Sequence, residues 1–311
     1  MGKWEYICGL IIREIIMMDN KDNIVSEGGQ GLVLEGGGMR GMFTCGVLDV
    51  FMERGITFNG MTGVSAGVLF GCNYKSRQPG RALRYNLKYR NDDDYMSWKS
   101  WRQTGDYVNT EFSYHKLPYE LDPMDFEAFA GNPMKMYAVC TDIGCGHPVY
   151  KLIDDARGEG LTWMRASGAL PIFANAVTID GKDYMDGGLS DSIPLKFMQE
   201  MGYRKNVVVL TQPQRFRKTK SHLYWPLRLA VRKYPEVARL MRVRHTMYNS
   251  QLDYVARQVG LGNTFVIQPD EKLHIGRLET DAGKMKRVYE AGRRKAMEVM
   301  AELTEFLGEE V

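Results

Sequence analysis

Residues 63–67, Gly63-Val64-Ser65-Ala66-Gly67, place a serine with glycine two positions away on either side. A serine hydroxyl becomes a nucleophile when it is raised on a sharp turn, given a proton acceptor and faced by donors for the charge that develops on a carbonyl oxygen. The pattern G-x-S-x-G supplies the turn if a strand precedes it and a helix follows. Both are expected here. ITFNGMTG (56–63) reads as a strand, and Ala66 to Tyr74 as a small, apolar, buried helix. The chemistry offered is acyl transfer through an acyl-serine, with Ser65 at the apex and Gly63 and Gly67 leaving room for the chain to pass closely.

Upstream, EGGGMRG (35–41) follows an apolar strand, Gly31 to Leu34, and opens a helix, MRGMFTCGVLDVFMERG. Gly36, Gly38 and Gly41 match G-x-G-x-x-G, the dinucleotide fingerprint in this context. A nucleotide-binding unit also needs a carboxylate at the end of its second strand. That strand ends at Val64-Ser65, which weakens the nucleotide reading without removing it as an alternative. Free amides of glycines at a helix N-terminus, with the helix dipole behind them, stabilise an oxyanion as readily as a phosphate. Gly36, Gly37 and Gly38, with Arg40 as a nearby cation, are therefore candidate oxyanion donors.

The proton acceptor is less obvious. The histidines are His115, His147, His222, His245 and His274. Ser65, Asp186 and one of the last three would follow the order serine, acid, histidine. Their neighbourhoods favour surface roles, and His274, in DEKLHIG, is the best of them. Asp186-Gly187-Gly188 differs: it ends the strand DYM, and two glycines free the backbone around the carboxylate. A desolvated aspartate within reach of the serine can take its proton directly.

These residues need elements to hold them. KMYAVCTDI and PVYKLI read as strands, and LTWMRASGALPIF as a helix stopped by Gly168 and Pro171. AVTIDGKDYMDGG reads as a hairpin turning at Asp180-Gly181, and Pro194 to Glu200 as the start of a helix. NVVVLT and TFVIQP are continuous apolar strands of the kind covered on both faces. A charged helix is expected from Thr280 to Phe306. Strands alternating with helices predict a mostly parallel sheet in a three-layer α/β/α sandwich.

The 311 residues, 44% of them apolar, suffice for one large domain. The expected organisation is an N-terminal extension over 1–30, a catalytic core over 31–210, and a basic helical segment, strand and C-terminal helix over 211–311 completing the same domain. The charge-free run from Arg54 to Lys75 is long enough for a membrane span, but its five glycines and central serine turn argue against one. At the N-terminus, Trp4, Ile7, Ile11, Ile15 and Met18 recur at helical spacing. An equal alternative makes Met17 or Met18 the true start. No signal-peptide or myristoylation pattern is evident.

A net charge of +3 does not by itself imply nucleic acid. Five cysteines without metal-like spacing suit a reducing cytoplasm, and no metal or other cofactor is expected. Ten Lys and Arg but one acid, Glu236, lie between Arg215 and Arg244, interleaved with Trp225, Leu227, Leu229, Val231, Leu240 and Met241. This stretch is read as a docking face for anionic membrane, with a solvated basic helix pair as the alternative. Trp98 and Trp101 belong either to a lid or acyl pocket, or to the core.

In order along the chain, GGGMRG, GVSAG and DGG, with GALPIFANAV before the acid, closely resemble the motifs of the patatin-like phospholipase family, particularly its bacterial members. The motif region covers residues 31–194. The resemblance implies a Ser–Asp dyad without histidine, Ser65 as nucleophile and Asp186 as proton acceptor, and an oxyanion hole from Gly36, Gly37, Gly38 and Arg40. It implies calcium-independent hydrolysis of lipid acyl esters and a fold distinct from the α/β-hydrolase fold. The acid motif ends in Gly188 where alanine is commoner. The expected location is cytoplasmic, with peripheral association at the inner membrane face, and a soluble carboxylesterase acting on small esters stays open.

Overall fold

A computed structural model describes residues 28–220 and 228–308. The readings that fall on residues 1–27, on His222, and on Trp225 and Leu227 lie outside the described residues.

The strands are β1 (Gln30–Leu34), β2 (Gly60–Val64), β3 (Lys135–Asp142), β4 (His147–Leu152), β5 (Val177–Ile179), β6 (Lys182–Asp186), β7 (Lys205–Val209) and β8 (Thr264–Ile267). They form one sheet in the order β5-β6-β3-β2-β1-β7-β8, with β4 also on β3. The pairings from β3 through β2, β1 and β7 to β8 are parallel, while β4, β5 and β6 are antiparallel to their neighbours. β8 carries the C-terminal third of the chain into the same sheet.

The sheet is covered on both faces, and the pleat divides its side chains between two cores. Leu32, Leu34, Met136, Ala138, Val207 and Val209 face one cluster, and Val33, Tyr137 and Val208 face the other. The helices are α1 (Met42–Glu53), α2 (Ala66–Lys75), α3 (Arg81–Tyr89), α4 (Trp98–Thr104), α5 (Phe126–Gly131), α6 (Glu159–Gly168), α7 (Leu195–Glu200), α8 (Pro235–Gly260), α9 (Ala282–Glu298) and α10 (Met300–Leu307). α1, α2, α6 and α9 contribute to the first core, and α7 and α8 to the second. The result is a three-layer α/β/α sandwich. Among the described residues no helix is long and apolar enough to cross a membrane.

Three expectations need correction. Ile56 to Asn59 are not strand: Ile56 and Phe58 are buried and Thr57 and Asn59 exposed, so the alternation exists without a ladder partner until Gly60. The C-terminal helix is two helices, separated at Val299, whose amide donates to Lys295 O at 3.2 Å. Trp98 is 55% exposed and packs on Trp101, Tyr107 and Phe173. Trp101 Nε1 donates to Ile172 O at 2.7 Å. Trp98 thus lies outside the core, Trp101 is half-buried against the first core, and neither lines the apolar cavity described below.

Candidate active site

The site is assembled by a hand-over along one edge of β3. β4 occupies one edge of that strand over Tyr137 to Asp142. The other edge pairs with β2 as far as Val64↔Val139, then with β6 from Cys140↔Asp186. Val64 and Asp186 thus stand on consecutive rungs of the same edge. The chain leaving Val64 must pass in front of the residue that ends β6, and that next residue is Ser65.

Ser65 has φ 55° and ψ −124°, a left-handed backbone rare for a non-glycine residue. Such strain, of order 1–3 kcal/mol, persists only where surroundings impose it. Here the Ser65 amide donates to Ser167 Oγ at 3.0 Å, and that hydroxyl donates to Val139 O at 2.6 Å. Behind Ser65, the carbonyl starts α2, accepting from Val68 and Leu69 at 3.1 Å. The turn is therefore tied to α6, to β3 and to the N-terminus of its own helix.

Asp186 is 2% exposed. Its amide donates to Ala169 O at 2.9 Å, and its Oδ1 accepts the Gly188 amide at 2.8 Å. Oδ2 is buried with no hydrogen-bond partner. Burial raises the carboxyl's pKa; the Arg244 guanidinium, the Ser65 hydroxyl, the Gly188 amide and Arg277 oppose that rise. Ser65 is thus near enough to act on the carboxyl, while Oδ2 lacks a bond of full geometry. Such contacts commonly close only when substrate is bound.

Facing them is the glycine turn. A Cβ on Gly36 would lie 2.7 Å from Val64 O and 2.8 Å from Ser65 Cβ, so only glycine lets the two turns approach this closely. Gly38 has φ +58°, also a glycine conformation. Among the described residues, the amides of Gly36, Gly37 and Gly38 donate to no protein acceptor. The next amide, Met39, donates to Arg277 O at 3.1 Å. Arg40 lines the same pocket, its Nε buried and without a partner. Burial lowers its pKa, against the attraction of Glu35.

The remaining motif glycines are packing points. Gly41 abuts Phe70 and Ala66, Gly63 abuts Gly67 and Val68, and Gly67 lies on the Leu34 and Glu35 carbonyls. Gly187 sits against Val139, and Gly188 between Arg244 and Asp186. None of His115, His147, His245 or His274 lines the pocket around Ser65. Cys45, Cys72, Cys140 and Cys145 are free thiols. Among the described residues no group of three or more His, Cys, Asp or Glu is placed to hold a metal ion.

Several groups at the site were not singled out by sequence. Glu35 is buried; its Oε2 accepts from the Thr211 amide at 2.6 Å and Thr211 Oγ1 at 3.0 Å, and its Oε1 from Tyr248 OH at 2.6 Å. It ties the glycine turn to the end of β7 and to α8. Lys218, Arg244 and Arg277 line the pocket beside Ser65. Arg244 Nε donates to Gly188 O at 2.6 Å. Arg244 lay within the basic stretch read as a membrane face; its partner shows it turned inward. Position on a helix face could have separated it from Arg242, but the orientation of α8 had to be known first.

On the other side of Ser65 is an apolar cavity of about 140 Å³. Leu69, Phe70, Met96, Val108, Leu161 and Leu170 are among its walls, and the π-helical segment Phe112–Leu121 contributes Tyr114, Leu117 and Pro118.

Residues 32–198 match the family model described as Patatin-like phospholipase. Residues 234–308 match one described as a domain of unknown function, DUF6363. The chain is 28% identical over 272 residues to "Uncharacterized protein YjjU" of Escherichia coli, covering 84% of this chain and 74% of that protein. It is 25% identical over 289 residues to "Lysophospholipase NTE1" of Chaetomium globosum, covering 88% of this chain and 18% of that protein. The protein of the same name from Debaryomyces hansenii is 26% identical over 196 residues, 60% of this chain and 12% of that one. The chain thus spans less than a fifth of the length of either fungal relative. Among solved structures, the crystal structure of VipD from Legionella pneumophila aligns with a TM-score of 0.46 and 12% identity, covering 88% of this chain and 67% of that one.

Proposed function

The chain belongs to the patatin-like phospholipase family, and from that premise we propose that it is a serine lipid acyl hydrolase working through Ser65 and Asp186. The observation that carries the reading is the position of Val64 and Asp186 on consecutive rungs of one β3 edge. It brings a strained serine turn beside a buried carboxylate oxygen that has no other partner.

In the acylation step Ser65 Oγ attacks the ester carbonyl carbon and Asp186 takes the hydroxyl proton. The negative oxygen of the tetrahedral intermediate is received by the amides of Gly36, Gly37 and Gly38, with Arg40 adding positive potential. The carbon–oxygen bond to the leaving alcohol breaks, and Asp186 returns the proton to that oxygen. Water then attacks the acyl-serine, Asp186 takes its proton, and collapse releases the fatty acid while the proton returns to Ser65 Oγ. The apolar cavity beside Ser65 gives an acyl chain a place to lie, which favours a lipid ester over the small soluble esters of a general carboxylesterase.

Residues 215–244 support a second part of the proposal, docking on anionic membrane. Leu229 and Val243 are exposed, as are Arg232, Lys233 and Arg242 around them. Each basic residue near such a surface adds about 1 kcal/mol of attraction. Binding to vesicles of anionic lipid that persists unchanged in Arg232→Gln/Lys233→Gln would remove this part.

Labelling with a fluorophosphonate tests the core reading. Wild type labels, Ser65→Ala does not, and Asp186→Asn labels at a rate reduced by orders of magnitude. Labelling that survives in Ser65→Ala overturns the assignment.

A further inference from the structure

Ser65 stands between two spaces of opposite character. One is the apolar cavity. The wall of the other carries four cations: Arg40, Lys218, Arg244 and Arg277. Ser65, Gly38, Leu170 and Arg277 belong to both spaces. A molecule reacting at Ser65 with its chain in the apolar cavity therefore extends its other end toward the cations.

Those cations are only partly matched from within. Two carboxylates share their pocket. Glu35 spends both oxygens on Thr211 and Tyr248, and Asp186 is assigned to Ser65. Among the described residues none of the four cations forms a salt bridge. Arg40 Nε is orphaned, Arg244 holds a neutral carbonyl, and Lys218 Nζ rests 4.4 Å over the Tyr248 ring. Burial, and repulsion from Arg244, Arg277 and Arg40, push the Lys218 ammonium down to about 7. Gathering unpaired like charges in a partly desolvated pocket is costly, and one transient oxyanion, already served by three amides, does not account for it.

We infer that Lys218, Arg244 and Arg277 form a phosphate-binding subsite that makes this enzyme select acyl lipids with a net-anionic phosphate headgroup over zwitterionic ones. Guanidinium and ammonium groups are the usual partners of phosphate. Among the described residues no free carboxylate remains in the pocket to receive the cationic amine of a choline or ethanolamine headgroup. Arg244 and Arg277 both come from residues 234–308, so that region, rather than the motif-bearing core, reads the headgroup. The inference rests on the proposed acyl chemistry at Ser65, but binding tests it separately.

The test uses full-length Ser65→Ala protein, which turns nothing over, and uncharged detergent micelles carrying lysophosphatidate, lysophosphatidylcholine or monoacylglycerol of one chain length. Lysophosphatidate is expected to bind at least ten-fold more tightly than the other two. Adding Lys218→Gln/Arg277→Gln is expected to erase that preference, and Lys218→Arg/Arg277→Lys to keep most of it, which separates charge from folding. Competition by inorganic phosphate supports recognition of the phosphate group alone. A preference insensitive to inorganic phosphate but erased by the double variant supports the same subsite with the lipid as its source. Equal binding of the two lysophospholipids, or a preference that survives the double variant, overturns the inference. Failure of fluorophosphonate labelling in the wild type leaves this binding result standing, so the two readings fail separately.

Discussion

Ser167 accepts the Ser65 amide proton at 3.0 Å while passing its own hydroxyl proton to Val139 O at 2.6 Å. One side chain on α6 thus fastens the strained serine turn to β3, the strand against which Asp186 at the end of β6 is paired. Ser167→Ala strands two buried backbone groups, at a cost of about 1–3 kcal/mol. It also frees the turn to relax, and a displacement of about 1 Å costs up to ~10²-fold in rate. Fluorophosphonate labelling should slow by at least ten-fold, with the urea midpoint lowered. Unchanged labelling would show that the turn holds itself.

Asp186 must be ionised to take a proton, so activity falls as pH drops through its pKa. Burial raises that pKa, which places the acid limb above the ordinary aspartate value of about 3.9. Arg244 is the strongest opposing influence. In Arg244→Met the limb of kcat/KM should move to higher pH, and in Arg244→Lys it should stay closer to wild type. A limb that stays put in Arg244→Met would remove Arg244 as the group holding the carboxyl ionised.

Gly36→Ala puts a methyl 2.7 Å from Val64 O and 2.8 Å from Ser65 Cβ. The glycine turn and the serine turn must separate, pulling the amides from a developing oxyanion. Loss of one such donor typically costs about 3–4 kcal/mol, or ~10²–10³ in kcat. Ester hydrolysis and thermal unfolding together check this: kcat should collapse while KM changes little.

Val108 lines the apolar cavity and is half-buried. Val108→Trp fills the space intended for the acyl chain. The ratio of kcat/KM for a long-chain to a short-chain p-nitrophenyl ester should fall by ten-fold or more, since each lost methylene contact is worth about 0.8 kcal/mol. A ratio equal to wild type would place the chain elsewhere.

Asp191 accepts from Tyr150 OH at 2.6 Å, Gln251 Nε2 at 2.7 Å and the Ile193 amide at 3.2 Å. Burial nevertheless pushes its carboxyl up to about 6. Between about 4 and about 6 the native state holds a proton that the unfolded chain has released, so stability falls as pH rises through that window and levels off above it. The effect is about 3 kcal/mol in all. Denaturation of Asp191→Asn across the same range should show a flatter slope than wild type.

Much of the site was legible because its signals are local. GVSAG, GGGMRG and DGG are runs of adjacent residues whose backbone demands are written in their glycines. Lys218, Arg244 and Arg277 beside Ser65 were not legible in this way, unlike Arg40 within GGGMRG. Arg244 is separated from Ser65 by most of the sheet's connectivity, and whether it faces solvent or Gly188 depends on how α8 docks on the second core. A charge run therefore read as surface. Ile56 to Asn59 failed for a related reason: alternation of apolar residues reports which side is buried, not whether a neighbouring strand supplies hydrogen bonds. Trp98 carries a large apolar ring but rests it on Trp101, Tyr107 and Phe173 at the margin of the first core, where Trp101 is half-buried, and neither tryptophan reaches the cavity.

The change of neighbour on β3 at the Val139–Cys140 peptide has a mechanical outcome. The strands that deliver Ser65 and Asp186 are moored to a common rail, one peptide apart, so breathing or shearing of the surrounding layers carries both residues along together. Their separation is insulated from motions that leave the pairing of β2 and β6 to β3 intact. Such an enzyme can loosen its outer helices to admit a bulky lipid ester without losing the alignment of the two side chains.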